Sequence, residues 1–197
     1  GRGAVVLGMG SLGAERLNAA SDLDLIVIYD ADGADTSDGQ RPLSARKYYA
    51  RLTQSLVTAM TAPMAEGRVY EIDMRLRPSG NQGPVATSWQ SFQTYQRDEA
   101  WVWEHLAMTR ARVIVGPPAL THDVEAFRLS LLGQDRKRAF ILREVADIRQ
   151  RIAVAKMPEG PLDAKIGPGR MLDVELISQA GALLAGVAAR DVDSGLR

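Results

Sequence analysis

Apolar residues cluster or alternate in four stretches typical of β-strands. Residues 5–7 (VVL) and 25–29 (LIVIY) are short apolar runs, which is typical of strands buried on both faces. Residues 69–77 (VYEIDMRLR) alternate, so one face of this predicted strand is apolar and the other carries charges. Residues 109–115 (TRARVIV) predict a further strand, which the Gly-Pro-Pro sequence at 116–118 ends. The amino-terminal part is therefore predicted to contain a sheet.

Helical spacing predicts the elements that lie between these strands. Apolar residues near 3.6-residue spacing predict a helix that Ser44 can cap and that Pro63 limits. A second helical region is predicted from Ser88 to Met108. The other predicted elements of this part are a short helical connector and two loops, at residues 14–19, 30–42 and 78–84.

The sequence changes character after Leu120, where strand patterns stop. A long amphipathic helix is predicted by apolar residues at helical spacing: Ile141, Val145, Ile148 and Ile152. A linker at 157–161 precedes another predicted helix over residues 172–189. We therefore predict two domains: an α/β domain over residues 1–118, and the start of a helical domain over residues 119–197.

Composition narrows the class of protein. With 197 residues, of which 46% are hydrophobic and 24% charged, the chain is long enough for a globular fold with a hydrophobic core. Its 24 basic and 24 acidic residues cancel, which argues against a long nucleic acid as partner. The absence of cysteine excludes disulfides and thiolate metal sites. No apolar run approaches the roughly 20 residues that span a bilayer, so we expect a cytoplasmic protein without a membrane partner. Because the sequence begins without Met, we expect it to be a piece of a longer polypeptide.

Two aspartates stand at the start of the second apolar run. On a strand, Asp22 and Asp24 project from one face while Leu23 and Leu25 turn into the core. Two carboxylates held this close repel each other, and the arrangement becomes favourable when a divalent cation such as Mg²⁺ lies between them. The alternative is that Asp22 caps a turn and Asp24 faces solvent.

A glycine turn and a third carboxylate extend this acidic pattern. Gly10 and Ser11 precede the acidic strand, and glycine lets backbone amides approach a phosphate. Asp73 adds a third carboxylate, and three carboxylates can hold two Mg²⁺ ions for phosphoryl chemistry. Arg75 and Arg77, on the same strand face as Asp73, are suited to bidentate contact with phosphate. Together these residues predict nucleotidyl transfer from a nucleoside triphosphate. The alternative is a set of unrelated surface acids and arginines.

Four blocks of the chain resemble the bacterial family of glutamine synthetase adenylyltransferase/adenylyl-removing enzymes, and the resemblance covers nearly all of the chain. GMGSLGAERLNAASDLDLIVIYD is similar to the family's glycine-turn and acidic-strand signature, a variant of the DNA polymerase β type nucleotidyltransferase motif. Three further blocks are similar to later family blocks: VYEIDMRLRPSGNQGPVATS, YQRDEAWVWEHLAMTRARVIVG and KIGPGRMLDVELISQ. The resemblance implies an α/β fold of the DNA polymerase β type, with a mixed, mainly antiparallel sheet followed by a helical region.

The family combines two opposing activities on one chain, and the resemblance implies a choice between them. Its amino-terminal copy removes AMP from glutamine synthetase by phosphorolysis, and its carboxy-terminal copy transfers AMP from ATP to a tyrosine of that enzyme. Residues 77–80 and 99–105 resemble the carboxy-terminal copy. Glutamine synthetase is thus the implied protein substrate, in the control of nitrogen assimilation, with a PII-type signalling protein and glutamine as candidate effectors. The alternatives are the adenylyl-removing copy, a template-independent nucleic-acid nucleotidyltransferase, and a catalytically silent sensing module.

The resemblance also implies a role for each candidate residue. Asp22 and Asp24 would ligate both Mg²⁺ ions, and Asp73 would complete the site of the ion shared with the nucleophile and could take the phenol proton. Gly10 and Ser11 would hold the β and γ phosphates of ATP. Arg75 and Arg77 are the further candidate anion partners.

Some positions depart from the family pattern. Ser11 stands where the family usually has Lys or Arg, which removes one cation from the triphosphate site. Residues 169–171 (GRM) and Leu176 also depart, so we expect Asp173 and Glu175 to be solvated or structural. An aromatic and histidine cluster could line a nucleotide or partner surface, but such aromatic residues are more often part of the core, and a hydrogen-bonded, neutral histidine is more typical than a catalytic one: Trp101, Trp103 and His105.

Overall fold

The computed structural model describes residues 1–65, 67, 70–189 and 192–196. This part of the chain contains five β-strands and eight α-helices. The strands are β1 (Gly3–Gly8), β2 (Leu23–Asp30), β3 (Ile72–Asp73), β4 (Ala86–Ser88) and β5 (Arg112–Val115). The helices are α1 (Gly10–Gly13), α2 (Ala45–Thr61), α3 (Trp89–Asp98), α4 (Val102–Met108), α5 (Pro118–Leu132), α6 (Arg138–Ala155), α7 (Met171–Ala185) and α8 (Val192–Leu196). A 3₁₀ turn covers Gly80–Gln82.

The sheet is assembled on β2. One edge of β2 pairs antiparallel with β1, which pairs antiparallel with β5 in turn. The other edge pairs in parallel with β3 near the start of β2 and with β4 near its end. Among the described residues the sheet is thus mixed, as predicted, and its longest pairing is the antiparallel one between β1 and β2.

Both faces of β2 are buried, which explains its unbroken apolar sequence. Val27 and Tyr29 pack in one cluster with Tyr49 of α2, and the two tyrosine rings stack with their centroids 4.3 Å apart. Strand alternation places Ile26 and Ile28 on the opposite face, where both are almost completely buried. A strand covered on both faces needs no polar side, so the run at 25–29 is apolar throughout.

The chain divides into two compact units. The first contains residues 1–100 and 111–127, with the whole sheet, and the second contains residues 101–110 and 128–197. In the second unit α4, α6 and α7 contact one another, and their buried residues include Leu106, Ile141 and Leu183. The predicted boundary at residue 118 coincides with the first residue of α5. The domain division at 118 stays a prediction. Within the described ranges, no helix has both the length and the apolar character needed to cross a membrane.

Several predicted elements agree with the structure. The apolar runs at 5–7 and 25–29 lie in β1 and β2, and the helix between Ser44 and Pro63 is α2. The long helix containing Ile141 is α6.

The alternating stretch at 69–77 was predicted as one long strand, and this is wrong in extent. The structure has a strand only at Ile72–Asp73, while Val69 lies outside the described residues. The Asp73 carboxylate accepts a hydrogen bond from the backbone N–H of Arg75 (2.8 Å), and the N–H of Arg77 donates to the carbonyl of Met74 (3.3 Å). Such local bonds favour a turn over a continued strand.

Three other predictions also need correction. Residues 14–19 form turns and irregular chain instead of a helical connector. The helical region at 88–108 is two helices, because the carboxylate of Glu104 accepts from the backbone N–H of Trp101 (2.9 Å) and starts α4 anew. The short strand β4 was not predicted, since its three residues give no periodic signal.

Candidate active site

The glycine turn brings the backbone directly against Asp24. The N–H of Met9, at the end of β1, donates to the carbonyl of Asp24 (2.9 Å), and Gly10 then opens the single helical turn α1. Gly10 has φ of +51°, and a Cβ built on it would lie 2.5 Å from Oδ2 of Asp24. Only glycine fits both the left-handed conformation and the close approach to the carboxylate. Ser11, the next residue, lies half-buried in the same turn.

The parallel pairing of β2 with β3 brings two of the predicted carboxylates together. Asp24 and Asp73 are direct partners in this pairing, so their side chains leave the sheet on the same face. Asp22 lies two residues before Asp24 and is exposed, just outside the first residue of β2. The structure therefore places Asp24 and Asp73 side by side, with the glycine turn next to Asp24.

Arg75 holds the carboxylate of Asp73 closely. Its Nε donates to Oδ2 of Asp73 (2.7 Å), its Nη2 donates to the same oxygen, and its backbone N–H donates to Oδ1 (2.8 Å). The side chain of Asp73 is 14% exposed and that of Arg75 is 71% exposed, so the guanidinium lies on the solvent side of the carboxylate. The hydrogen bonds from Arg75 are the main reason why the pKa of Asp73 lies below its usual range. A carboxylate with a lowered pKa is a weaker base, so Asp73 held this way is poorly suited to take a proton.

The pKa of Arg75 is raised, first by the hydrogen bonds and charge of Asp73 and also by the charges of the other two predicted carboxylates, those of Asp22 and Asp24. One guanidinium thus partly neutralises all three predicted carboxylates. Arg75 was predicted to contact phosphate, and its contact with Asp73 was not predicted, although the Asp-x-Arg spacing indicates it.

Arg77 supports the loop that follows β3. Its Nη1 donates to the carbonyl of Met74 (2.6 Å) and its Nε lies 3.4 Å from the carbonyl of Gly83. The same loop carries Ser79 at φ of +60°, and a Cβ on Gly83 would overlap the carbonyl oxygen of Pro78. Arg77 therefore braces a tightly folded segment. Its predicted contact with phosphate stays a prediction.

The chemistry of these side chains fits a divalent cation. Carboxylate oxygens are the ligands that Mg²⁺ takes in proteins, and Asp24 and Asp73 present theirs from neighbouring strands. The close approach of Gly10 leaves room for no side chain beside Asp24. Within the described part of the chain, no three acidic or histidine side chains are grouped closely enough to hold a metal ion, so the fit rests on two carboxylates together with the phosphates of a substrate.

Asp173 and Glu175, the two acids considered in the helical region, have partners within the protein. Asp173 accepts from the backbone N–H of Gly169 (2.7 Å) and pairs with Arg149 near the start of α7. Glu175 pairs with the almost buried side chain of Arg110 (3.0 Å). These contacts explain both residues without a ligand.

Trp101 and Trp103 are more exposed than the predicted core role implies. Trp101 is 59% exposed and Trp103 is 39% exposed, so the core role considered typical of them is wrong. His105 is half-buried on α4. Helix α4 instead buries Leu106 and Met108.

Comparison with known proteins identifies relatives along most of the chain. A family model described as glutamate-ammonia ligase adenylyltransferase matches residues 1–127. The bifunctional glutamine synthetase adenylyltransferase/adenylyl-removing enzyme of Mesorhizobium japonicum is 49% identical over 185 residues, which is 93% of this chain and 19% of the relative. The enzymes of the same name from Agrobacterium fabrum and Rhodopseudomonas palustris are 48% and 44% identical over 92% and 98% of this chain, and over 18% and 20% of their own lengths. The chain thus spans about a fifth of the length of these relatives.

Proposed function

This chain belongs to the glutamate-ammonia ligase adenylyltransferase family, and from that membership we propose that it transfers AMP from ATP to a tyrosine of glutamine synthetase, with release of pyrophosphate. Members of this family are nucleotidyltransferases, for which ATP is the implied substrate. The observation that carries the proposal is the pairing of Asp24 with Asp73 across parallel strands, directly beside Gly10. We assign the first unit to the DNA polymerase β type nucleotidyltransferase fold on the same grounds.

The proposed roles follow from the positions of the side chains. Asp24 on β2 and Asp73 on β3 would hold Mg²⁺, together with Asp22 just before β2. When bound, two Mg²⁺ ions supply Lewis-acid stabilisation of the attacking and leaving oxygens. Gly10 and Ser11 offer backbone amides and a hydroxyl to the β and γ phosphates. Arg75, with its exposed guanidinium, is an anion partner within reach of the same acids.

The acceptor must lose a proton during transfer. A free tyrosine has a pKa of about 10, so the phenol needs help to ionise near neutral pH. While Arg75 holds it, Asp73 is a poor acceptor for this proton, because the hydrogen bonds from Arg75 lower its pKa. The release of Asp73 is therefore part of the proposed reaction cycle.

Two separate features of the chain support the adenylylating direction over phosphorolysis. A site that uses free phosphate needs additional cationic or amide donors for a separate small anion. The glycine turn has Ser11 at a position where a cationic side chain could bind such a phosphate. The side chain of Arg77 already donates to the backbone carbonyls of Met74 and Gly83. The segment at 99–105 presents two exposed tryptophans, which suit a protein surface better than a small anion. We also propose a PII-type protein and glutamine as effectors. Because the proposed substrates are cytoplasmic, we propose a cytoplasmic location for the protein.

The test uses the 197-residue chain and both forms of the substrate. With Mg²⁺ and ATP labelled at the α phosphate, we expect label on a tyrosine of unmodified glutamine synthetase and release of pyrophosphate. The Asp24→Asn variant should keep the melting temperature of the parent and lose transfer, because a metal ligand is lost without a change of side-chain size. With adenylylated glutamine synthetase and phosphate, we expect no comparable formation of ADP. Phosphate-dependent ADP formation without AMP transfer would identify the chain as the adenylyl-removing copy.

A further inference from the structure

The contacts of Asp73 raise a question about the order in which ligands bind. Both of its carboxylate oxygens accept hydrogen bonds from Arg75, Oδ1 from the backbone N–H and Oδ2 from the guanidinium. Its side chain is 14% exposed, whereas that of Arg75 is 71% exposed. A cation that binds Oδ2 of Asp73 therefore competes with the guanidinium of Arg75.

The charges around Asp73 favour this contact. Asp24 lies directly opposite Asp73 in the pairing of β2 with β3, and both Asp22 and Asp24 raise the pKa of Arg75 through their charge. Carboxylates this close repel one another when they lack a counter-charge. Arg75 thus provides within the chain the positive charge that a divalent cation would otherwise provide.

We propose that Arg75 is a positioning residue that keeps Asp73 from the metal until a nucleotide is bound. The inference rests on the proposed function, since it concerns the metal site of that reaction. Arg75 and a cation compete for the same oxygen of Asp73, so the cation binds weakly while Arg75 stays in place. The triphosphate offers Arg75 another anionic partner, with which it can form charge-assisted hydrogen bonds. Arg75 then leaves Asp73, and nucleotide and metal bind cooperatively. After the phosphates depart, Arg75 returns to Asp73 and weakens the hold on the metal.

The experiment measures Mn²⁺ binding to the 197-residue chain by electron paramagnetic resonance, with and without a non-hydrolysable ATP analogue. Without nucleotide we expect Arg75→Gln to bind Mn²⁺ at least tenfold more tightly than the parent. Addition of the analogue should tighten Mn²⁺ binding at least tenfold in the parent and less than threefold in Arg75→Gln. Such loss of cooperativity is what a merely structural arginine would not produce.

Two control variants separate the contact from general electrostatics. Arg75→Lys keeps the positive charge but loses the two-nitrogen contact with Oδ2, so it should still bind Mn²⁺ more tightly than the parent without nucleotide. Arg51→Gln removes a charge from the exposed surface of α2 and should behave as the parent. Parent-like Mn²⁺ affinity in Arg75→Gln would overturn the inference, and so would parent-like affinity in Arg75→Lys.

The result is independent of the direction of AMP transfer. If Arg75→Gln binds Mn²⁺ more tightly and the parent transfers no AMP, the inference stands and the proposed function fails. If the parent transfers AMP and Arg75→Gln binds Mn²⁺ as the parent does, only the inference fails.

Discussion

Substitution of Gly10 by alanine tests the contact between the glycine turn and Asp24. Gly10 has φ of +51°, and an L-residue in this left-handed region costs about 1–2 kcal/mol. The added Cβ would lie 2.5 Å from Oδ2 of Asp24, which is too close for the present geometry. Because this oxygen is at the end of a side chain, the easiest relief is for Asp24 to turn away. We therefore expect a small loss of stability and a large loss of activity.

Gly33→Ala is the matched control for this substitution. Gly33 has φ of +75°, and a Cβ built on it meets no atom within 4 Å. It should carry the same conformational cost of about 1–2 kcal/mol, which corresponds to a fall in melting temperature of roughly 2–8 °C for a chain of this size. The two variants should therefore unfold at similar urea concentrations.

Activity should distinguish the two variants. A displacement of about 1 Å at a reacting group can cost about a hundredfold in rate. We expect Gly10→Ala to lose about that much AMP transfer, while Gly33→Ala stays near the parent. Initial rates with labelled ATP and glutamine synthetase, measured well below both melting temperatures, provide the comparison. Equal rates in the two variants would refute the proposal that the glycine turn positions Asp24 for catalysis.

Three further predictions concern Asp73, Arg77 and Trp101. Because the pKa of Asp73 is lowered in the folded state, its pairing with Arg75 should stabilise the protein above about pH 4 and lose this effect as the pH falls through the lowered pKa. The difference in unfolding free energy between the parent and Arg75→Gln should thus be larger at pH 7 than at pH 3. A difference independent of pH would contradict a stabilising pair between Asp73 and Arg75. Arg77→Ala should destabilise the protein by about 1–3 kcal/mol in urea titration, because the carbonyls of Met74 and Gly83 lose their donor; unchanged stability with a raised KM for ATP would instead assign Arg77 to phosphate. Trp101→Ala should change the unfolding free energy by no more than about 0.5 kcal/mol, since the residue is 59% exposed, and a larger loss would mean that its ring packs in the fold.

The elements that could be predicted from the sequence are those in which many successive positions show a consistent pattern of buried and exposed residues. The apolar run of β2 and the helical spacing of α2 and α6 are of this kind, and hydrophobic periodicity is a direct record of burial. The three carboxylates were grouped from sequence, because Asp22 and Asp24 were predicted to share a strand face and Asp73 lies in a charged, alternating stretch; their role stays a prediction. What brings Asp73 to Asp24 is the register between two strands that are far apart in the chain.

The elements that sequence could not predict depend on single side-chain contacts. The strand at 69–77 is shortened because the carboxylate of Asp73 accepts the N–H of Arg75, and no hydrophobic pattern records such a bond. The break between α3 and α4 likewise depends on one bond from Trp101 to Glu104. The contacts of Arg77 with the carbonyls of Met74 and Gly83 are of the same local kind and were not predicted either. Local polar contacts of this kind override periodicity where the periodic stretch is short.

Because β3 is so short, we expect the candidate site to open and close transiently in solution. Only Ile72 and Asp73 belong to this strand, whereas β1 and β2 pair over six residues. Short, partly exposed segments open at lower free energy than core strands, so amide hydrogens in β3 should exchange with solvent much faster than those in the middle of β2. Each opening separates Asp73 from Asp24, and the chain then lacks a complete set of carboxylates. A ligand that bridges the two strands binds only the closed population, and its affinity falls by the fraction of molecules that are open. Residues that hold β3 on the sheet without touching the ligand, such as Ile72, can therefore tune substrate affinity.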